Sequence, residues 1–156
     1  MSDELVWTGY TSDEAAPLIA DLGREYDARY GGQSSVELQR YPAERFDPDH
    51  GGAFLVIVRD GVTIAGGAYM RFDDENAEVK RMWTHADHRR QGLAGRVLGE
   101  LEQRARQVGY RGIVLTTGAR QPEAVALYLA LGYEAQFDVD GDWEEVDYLA
   151  FRKPLD

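Results

Sequence analysis

The stretch Ala77-Glu78-Val79-Lys80-Arg81-Met82-Trp83-Thr84-His85-Ala86-Asp87-His88-Arg89-Arg90-Gln91-Gly92-Leu93-Ala94-Gly95 changes its period halfway along. Residues 77–84 read as a strand. From Ala94 onward, Val97, Leu98, Leu101, Ala105 and Val108 recur at helical spacing, which predicts a helix closed by Gly109. Upstream, residues 53–59 (AFLVIVR) have the length and β-branching of a buried strand. Asp60-Gly61 is a hairpin turn, residues 62–72 are the return strand with Gly66-Gly67 a candidate bulge, and residues 73–76 turn again. These three strands predict an antiparallel meander. Downstream, residues 112–116 (GIVLT) are a short apolar strand, Pro122 opens a helix to Leu131 that Gly132 ends, and residues 146–152 form a last strand.

Nearer the N-terminus, residues 5–9 predict a strand. Thr11 with Glu14 is a capping-box signal, and Leu18, Ile19, Leu22, Tyr26 and Tyr30 then step at helical spacing until Gly31-Gly32. Pro17 belongs in the first turns of that helix. Residues 33–52 predict one short helix and a loop. The order gives an α+β fold, a central mixed and mostly antiparallel sheet flanked by helices. The 156 residues, 44% hydrophobic and 29% charged, predict one soluble domain over residues 1–156.

No apolar run approaches the ~20 residues of a membrane span. The start, Met1-Ser2-Asp3-Glu4, is acidic where a secretory signal is basic and then apolar. The chain has no cysteine, so disulfides, thiolate nucleophiles and zinc–thiolate sites are excluded, and a cytoplasmic location is expected. A net charge of -11 argues against nucleic-acid partners and against anionic membrane surfaces. The charge is unevenly spread. Lys80, Arg81, Arg89, Arg90 and Arg96 face one nearby acid, Asp87, whereas Glu134, Asp138, Asp140, Asp142, Glu144, Glu145 and Asp147 lie together with no base among them. A basic island in an acidic chain suggests one local anionic ligand, and is equally consistent with an unevenly charged surface.

The loop that opens the second half of the quoted stretch supports the ligand. A helix start exposes unpaired N–H groups and the positive end of its dipole, where phosphates bind. Gly92, Ala94 and Gly95 are small enough to let a pyrophosphate approach. The loop lacks the Gly-Lys-Ser/Thr of a P-loop. It also has only two of the three glycines of a dinucleotide fingerprint, after a meander strand.

Arg89-Arg90-Gln91-Gly92-Leu93-Ala94 resembles the acetyl-CoA signature Gln/Arg-x-x-Gly-x-Gly/Ala of the GNAT superfamily of N-acetyltransferases. The preceding strand, residues 77–84, resembles the one along which that family lays its cofactor. Gln121-Pro122-Glu123-Ala124-Val125-Ala126-Leu127-Tyr128-Leu129-Ala130-Leu131-Gly132-Tyr133 resembles a second family motif, Asn-x-x-Ala-x-x-Leu-Tyr-x-x-x-Gly-Phe/Tyr, with Gln121 standing for Asn. The resemblance covers about residues 53–135, and residues 116–124 look like a bacterial branch with poorly defined substrates.

The resemblance implies acetyl transfer from acetyl-CoA to a primary amine without a metal. It places cofactor contacts on Met82, Trp83, Thr84, Arg89, Arg90, Gln91, Gly92, Leu93, Ala94, Gly95 and Gln121. A backbone N–H at residues 82–84, best at Met82, would polarise the thioester carbonyl. Tyr128 falls on the family's acid position. Glu78 falls where several members keep a general base, or else pairs with Lys80 two residues on, on the same strand face. A non-catalytic acetyl-CoA sensor is the alternative function. The expected acceptor is a small molecule, cationic if the acidic segment borders its site, taken by a monomer or homodimer. Tyr26, Tyr30, Tyr69 and Trp83 are candidate pocket aromatics. His85 and His88 read as surface residues. Asp138-x-Asp140-x-Asp142 fails as a calcium loop, because Trp143 and Leu149 hold the positions of its Gly and Glu.

Overall fold

The structure, a computed structural model, describes residues 3–30, 41–146 and 148–155, with the side chains of Tyr26, Arg29 and Tyr30 outside that description. Strands β1 (Asp3–Thr8), β2 (Ala53–Arg59), β3 (Val62–Arg71), β4 (Asn76–Thr84), β5 (Gly112–Thr117), β6 (Glu134–Ala135) and β7 (Leu149–Pro154) form one sheet in the order β1-β2-β3-β4-β5-β7-β6. Only β4 and β5 run parallel; the other neighbours are antiparallel. Helix α1 (Ala16–Tyr30) and the short turns Ala43–Phe46 and Pro48–His50 follow β1. Helix α2 (Leu93–Gln107) crosses from β4 to β5, and helix α3 (Pro122–Ala130) follows β5. The fold is the expected α+β arrangement.

Each face of the sheet has its own core. Leu93, Val97, Leu98, Leu101 and Ala105 repeat at helical spacing, and this stripe of α2 packs with Val125 and Tyr128 of α3 against Leu55, Ile57, Val79, Leu115 and Phe151. Ala15 and Leu18 at the start of α1 pack with Phe46, Phe54, Val56, Met70 and Trp83 in a second cluster. Full burial of one such aliphatic side chain contributes about 1.5–3 kcal/mol.

Hairpin β2–β3 turns on Asp60 and Gly61, both at positive φ (51° and 80°), the conformation that a two-residue turn matching strand twist demands. Three local expectations are corrected. Ser12, not Thr11, holds the entry to α1, its Oγ accepting from Ala15 N–H at 3.2 Å. The last strand begins at Leu149, because Trp143–Glu145 closes into a turn capped by Asp142. The bulge opposite Gly66-Gly67 lies on β4: Gly66 pairs with Trp83 and Ala68 with Lys80, so Arg81 and Met82 together face Gly67. Of the stretch 33–52, where one short helix and a loop are expected, residues 41–52 are described and hold the turns Ala43–Phe46 and Pro48–His50; residues 33–40 and the helix-ending Gly31-Gly32 fall outside the described residues.

This bulge positions the site. Arg81 takes φ 63°, a left-handed conformation rare for a side chain of its size. The distortion ends pairing with β5, which reaches only from Asn76 to Val79 against Gly112 to Leu115. Beyond Val79 the two parallel strands part.

Candidate active site

At the mouth of that split the chain enters α2. The loop begins with a 3-10 turn, Ala86–His88, whose His85 Nδ1 accepts from Asp87 N–H at 3.1 Å. Arg90 (φ 65°) and Gly92 (φ 76°) are both left-handed, which curls the main chain into the helix. The helical ladder starts where Arg96 N–H donates to the Gly92 carbonyl at 3.1 Å. Leu93, Ala94 and Gly95 therefore keep N–H groups outside the ladder, and no side chain caps them. All three residues, with Gly92, line a cavity of about 500 Å³. An uncapped helix start opening into a cavity is a site for an anion.

The rest of that cavity comes from four directions. Met82, Trp83 and Thr84 supply the β4 wall, and Arg89 and Arg90 the loop. Gln121 and Tyr128 come from the start and the body of α3. Ten of the eleven expected cofactor contacts are brought together this way. The exception is Gln91, whose Oε1 accepts from Arg59 at 3.0 Å and which lines neither cavity. Leu22 and Glu25 of α1, His88, Glu123, Ala124 and Leu127 also line the cavity without having been expected to. Leu127 and Tyr128 stand at i+3 and i+4 from Ala124, a helical spacing that could have found them. Nothing in the sequence brings α1 to this wall.

The basic island is largely held by acids. Arg89 pairs with Glu25, and Arg96 reaches Asp3 at 3.3 Å. Asp3 also takes two bonds from Arg59, at 2.6 and 2.9 Å, and the Arg59 guanidinium holds its carboxyl below the usual range. Trp83 Nε1 donates to Asp21 at 2.7 Å, which seats α1 on β4.

A second, smaller cavity of about 130 Å³ lies in the split itself, between Lys80, Arg81 and Met82 on one strand and Thr116 and Thr117 on the other. Leu22, Met82, Gln121 and Tyr128 line both cavities, so the two meet there. Thr117 Oγ1 donates to Gln121 Oε1 at 3.2 Å, fixing the amide at the junction. Tyr128 is buried, its ring against Tyr133 and Phe151, and burial pushes its hydroxyl up to about 12. No described residue takes a hydrogen bond from that hydroxyl.

Glu78 lines neither cavity. Its carboxylate lies 3.5 Å from Lys80 Nζ, with both side chains nearly enclosed (12% and 9% exposed). Tyr69 packs edge-on to Tyr110 in the core, away from both cavities, and the side chains of Tyr26 and Tyr30 are outside the described residues. His85 is partly exposed, whereas His88 reaches the first cavity. None of the acids at residues 134–146 lines either cavity; Asp138 and Asp142 cap turns and Glu144 pairs with Arg120, while Asp147 is outside the described residues. Among the described residues no group of three His, Cys, Asp or Glu is placed to hold a metal, and no helix is long and apolar enough to cross a membrane.

Comparison with known proteins gives the geometry its context. The family model for "Acetyltransferase (GNAT) family" matches residues 19–133. An IAA acetyltransferase of Azospirillum brasilense is 32% identical over 78% of this chain and 77% of its own length. N-acetyltransferase 8 of Homo sapiens is 30% identical over 55% of this chain, and the match spans 40% of that relative's length. Among solved structures, a Klebsiella pneumoniae chain assigned to the acyl-CoA N-acyltransferases superimposes with a TM-score of 0.77 at 26% identity, over 99% of this chain and 98% of that one. The paia N-acetyltransferase of Thermoplasma acidophilum, in complex with coenzyme A, gives 0.74 at 17% identity over 99% of each chain.

Proposed function

The chain belongs to the acetyltransferase (GNAT) family, and from that premise we propose that it moves the acetyl group of acetyl-CoA to a primary amine of a small molecule, by direct attack within a ternary complex. The observation that carries this reading is the meeting of two cavities at Tyr128, one beneath an uncapped helix start and the other in the split between parallel strands.

The donor fits the first cavity. The N–H groups of Leu93, Ala94 and Gly95 take the pyrophosphate, and Arg90 and Arg89 add charge, Arg89 by exchanging Glu25 for phosphate. The pyrophosphate at the helix start and the thioester at Tyr128 would place the pantetheine arm along the cavity between them. Gln121 and the bulged backbone of β4 offer hydrogen bonds to the pantetheine amides. The acceptor enters from the second cavity.

Transfer makes a C–N bond and breaks the C–S bond. The neutral amine attacks the thioester carbon, and the Met82 N–H, out of register in the bulge, stabilises the negative oxygen. The nitrogen then loses its extra proton to a base or to water. Glu78, which lines neither cavity, reaches that proton only through water. Sulfur leaves as thiolate and Tyr128 donates to it. A thiol in water titrates near ~8.5, well below the buried tyrosine, so full proton transfer to a free thiolate runs uphill. Burial beside Tyr128 raises the sulfur too, which narrows the gap as the bond breaks.

Binding of acetyl-CoA raises the melting temperature, because the ligand binds only the folded state. Gly92→Glu abolishes that rise: the position is left-handed, and the new carboxylate lies at the anion site. A full rise in the variant, or stronger stabilisation by NAD or ATP, contradicts the assignment.

A further inference from the structure

The second cavity carries a charge that its surroundings hide. Its lining contains two cations, Lys80 and Arg81, the hydroxyls of Thr116, Thr117 and Tyr148, and no carboxylate among the described residues. The nearest acid, Glu78, lines neither cavity and so lies behind Lys80 as seen from the acceptor. Lys80 Nζ is 3.5 Å from both a Glu78 carboxylate oxygen and Thr116 Oγ1, and 5.1 Å from the centre of the Tyr41 ring. Both polar contacts are longer than the ~2.7–2.9 Å of a charge-assisted hydrogen bond, so a carboxylate in the cavity can approach the ammonium more closely than either. Arg81 stacks over Tyr10 and Phe46, a fixed element of the wall. At about 130 Å³, the space is well below the ~300–1,000 Å³ of a drug-sized ligand pocket.

We infer that the acceptor is a small amino acid-like molecule, whose carboxylate is held in the second cavity by the Lys80 ammonium with the Thr116 hydroxyl while its amine faces Tyr128. This rests on the amine-acetyltransferase reading above and narrows its substrate class. The same cations serve the chemistry. Positive charge beside an amine favours its neutral form, the nucleophile, and a carboxylate on the acceptor offsets the repulsion that a bare ammonium would meet on entering. A polyamine has nothing to offer Lys80. The acids at residues 134–146, which would favour such a cation, are absent from the lining.

The test pairs amino acids with their α-amides and methyl esters, alongside polyamines, and measures CoA release from acetyl-CoA by the full chain. Free acids exceed their amides by ~10-fold or more in kcat/KM, the scale of one lost charged hydrogen bond. Lys80→Met erases that preference mainly through KM, Lys80→Arg keeps most of it, and Thr116→Val weakens acids without affecting amides. Acetyl-CoA stabilises all three variants as it does the wild type, which shows that the fold and the donor cavity are intact. Amides or polyamines that equal or beat the free acids, or a preference that survives Lys80→Met, overturn the carboxylate while leaving acetyl transfer standing. Absence of amine-dependent CoA release across the whole panel overturns both.

Discussion

At the scale of single residues, the proposed chemistry turns on Tyr128. It is buried and lines both cavities, and its hydroxyl is held protonated by desolvation. Tyr128→Phe keeps the ring packing against Phe151 and Tyr133 and removes the hydroxyl with its proton. Turnover falls by ~10²-fold, the usual loss for a general acid, while the acetyl-CoA-induced rise in melting temperature stays. Wild-type turnover in this variant, on a verified acceptor, would reduce the tyrosine to a packing residue and pass its role to water. Tyr128 was legible because the motif fixes its register on α3, and Gly92 because a turn into a helix demands its conformation. The pairing of Glu78 with Lys80 was legible too, since the two are neighbours on one strand face. Gln91 was not: it lies at the expected place along the chain, but its direction is set by Arg59, 32 residues away, a partner fixed only by tertiary contact.

At the scale of elements, the bulge in β4 separates a plain sheet from a binding cleft. The alternation in residues 77–84 announces a strand, and the glycines of β3 announce an irregularity beside it. The sequence cannot say which of two paired strands holds the extra residue, since either glycine pair or partner could yield. The structure resolves this sterically. A Cβ at Gly67 would run into Met82 Sδ and come within 3.1 Å of Val97 Cγ1, so the glycine is what makes room for the bulge opposite. Gly67→Ala accordingly destabilises the fold by about 1–3 kcal/mol, the range for overpacking, and pushes Met82 from its place. Urea unfolding and acetyl-CoA thermal shifts together check this: stability and ligand response fall in the same variant. Unchanged values for both would mean that the bulge owes nothing to the glycine. Strands β2 to β5, α2 and α3 were read nearly to their ends because each has a strong period and a glycine or proline boundary, whereas β6, two residues long, has no period to read. The last strand was begun too early, because Val146 to Tyr148 alternate acceptably but follow a turn that Asp142 caps.

At the scale of the whole molecule, buried tyrosines set an alkaline limit. Tyr69 and Tyr128 are pushed up to about 12 by burial, and Tyr133 is raised further by burial and by the Glu102 carboxylate it donates to at 2.8 Å. An unfolded tyrosine titrates near ~10. Above that pH the unfolded chain holds fewer of these protons than the folded one, so stability falls as pH rises from about 10 towards 12 and is unaffected by these groups below that window. Melting curves from pH 8 to 11.5, followed with tyrosinate absorbance, should show ionisation arriving with unfolding; ionisation of all tyrosines well before unfolding would contradict the burial. The chain carries a net charge of -11, yet Arg89 and Arg90 line one cavity and Lys80 and Arg81 the other, so the local fields there run against the overall charge. The most direct measurement follows acetyl-CoA and an amine panel by thiol release and by mass spectrometry of both acceptor and protein. Direct transfer predicts CoA released one-for-one with an N-acetylated acceptor, only when both substrates are present, with the protein's own mass unchanged. CoA released without an acetylated amine, or an acetylated protein accumulating in its place, would contradict it.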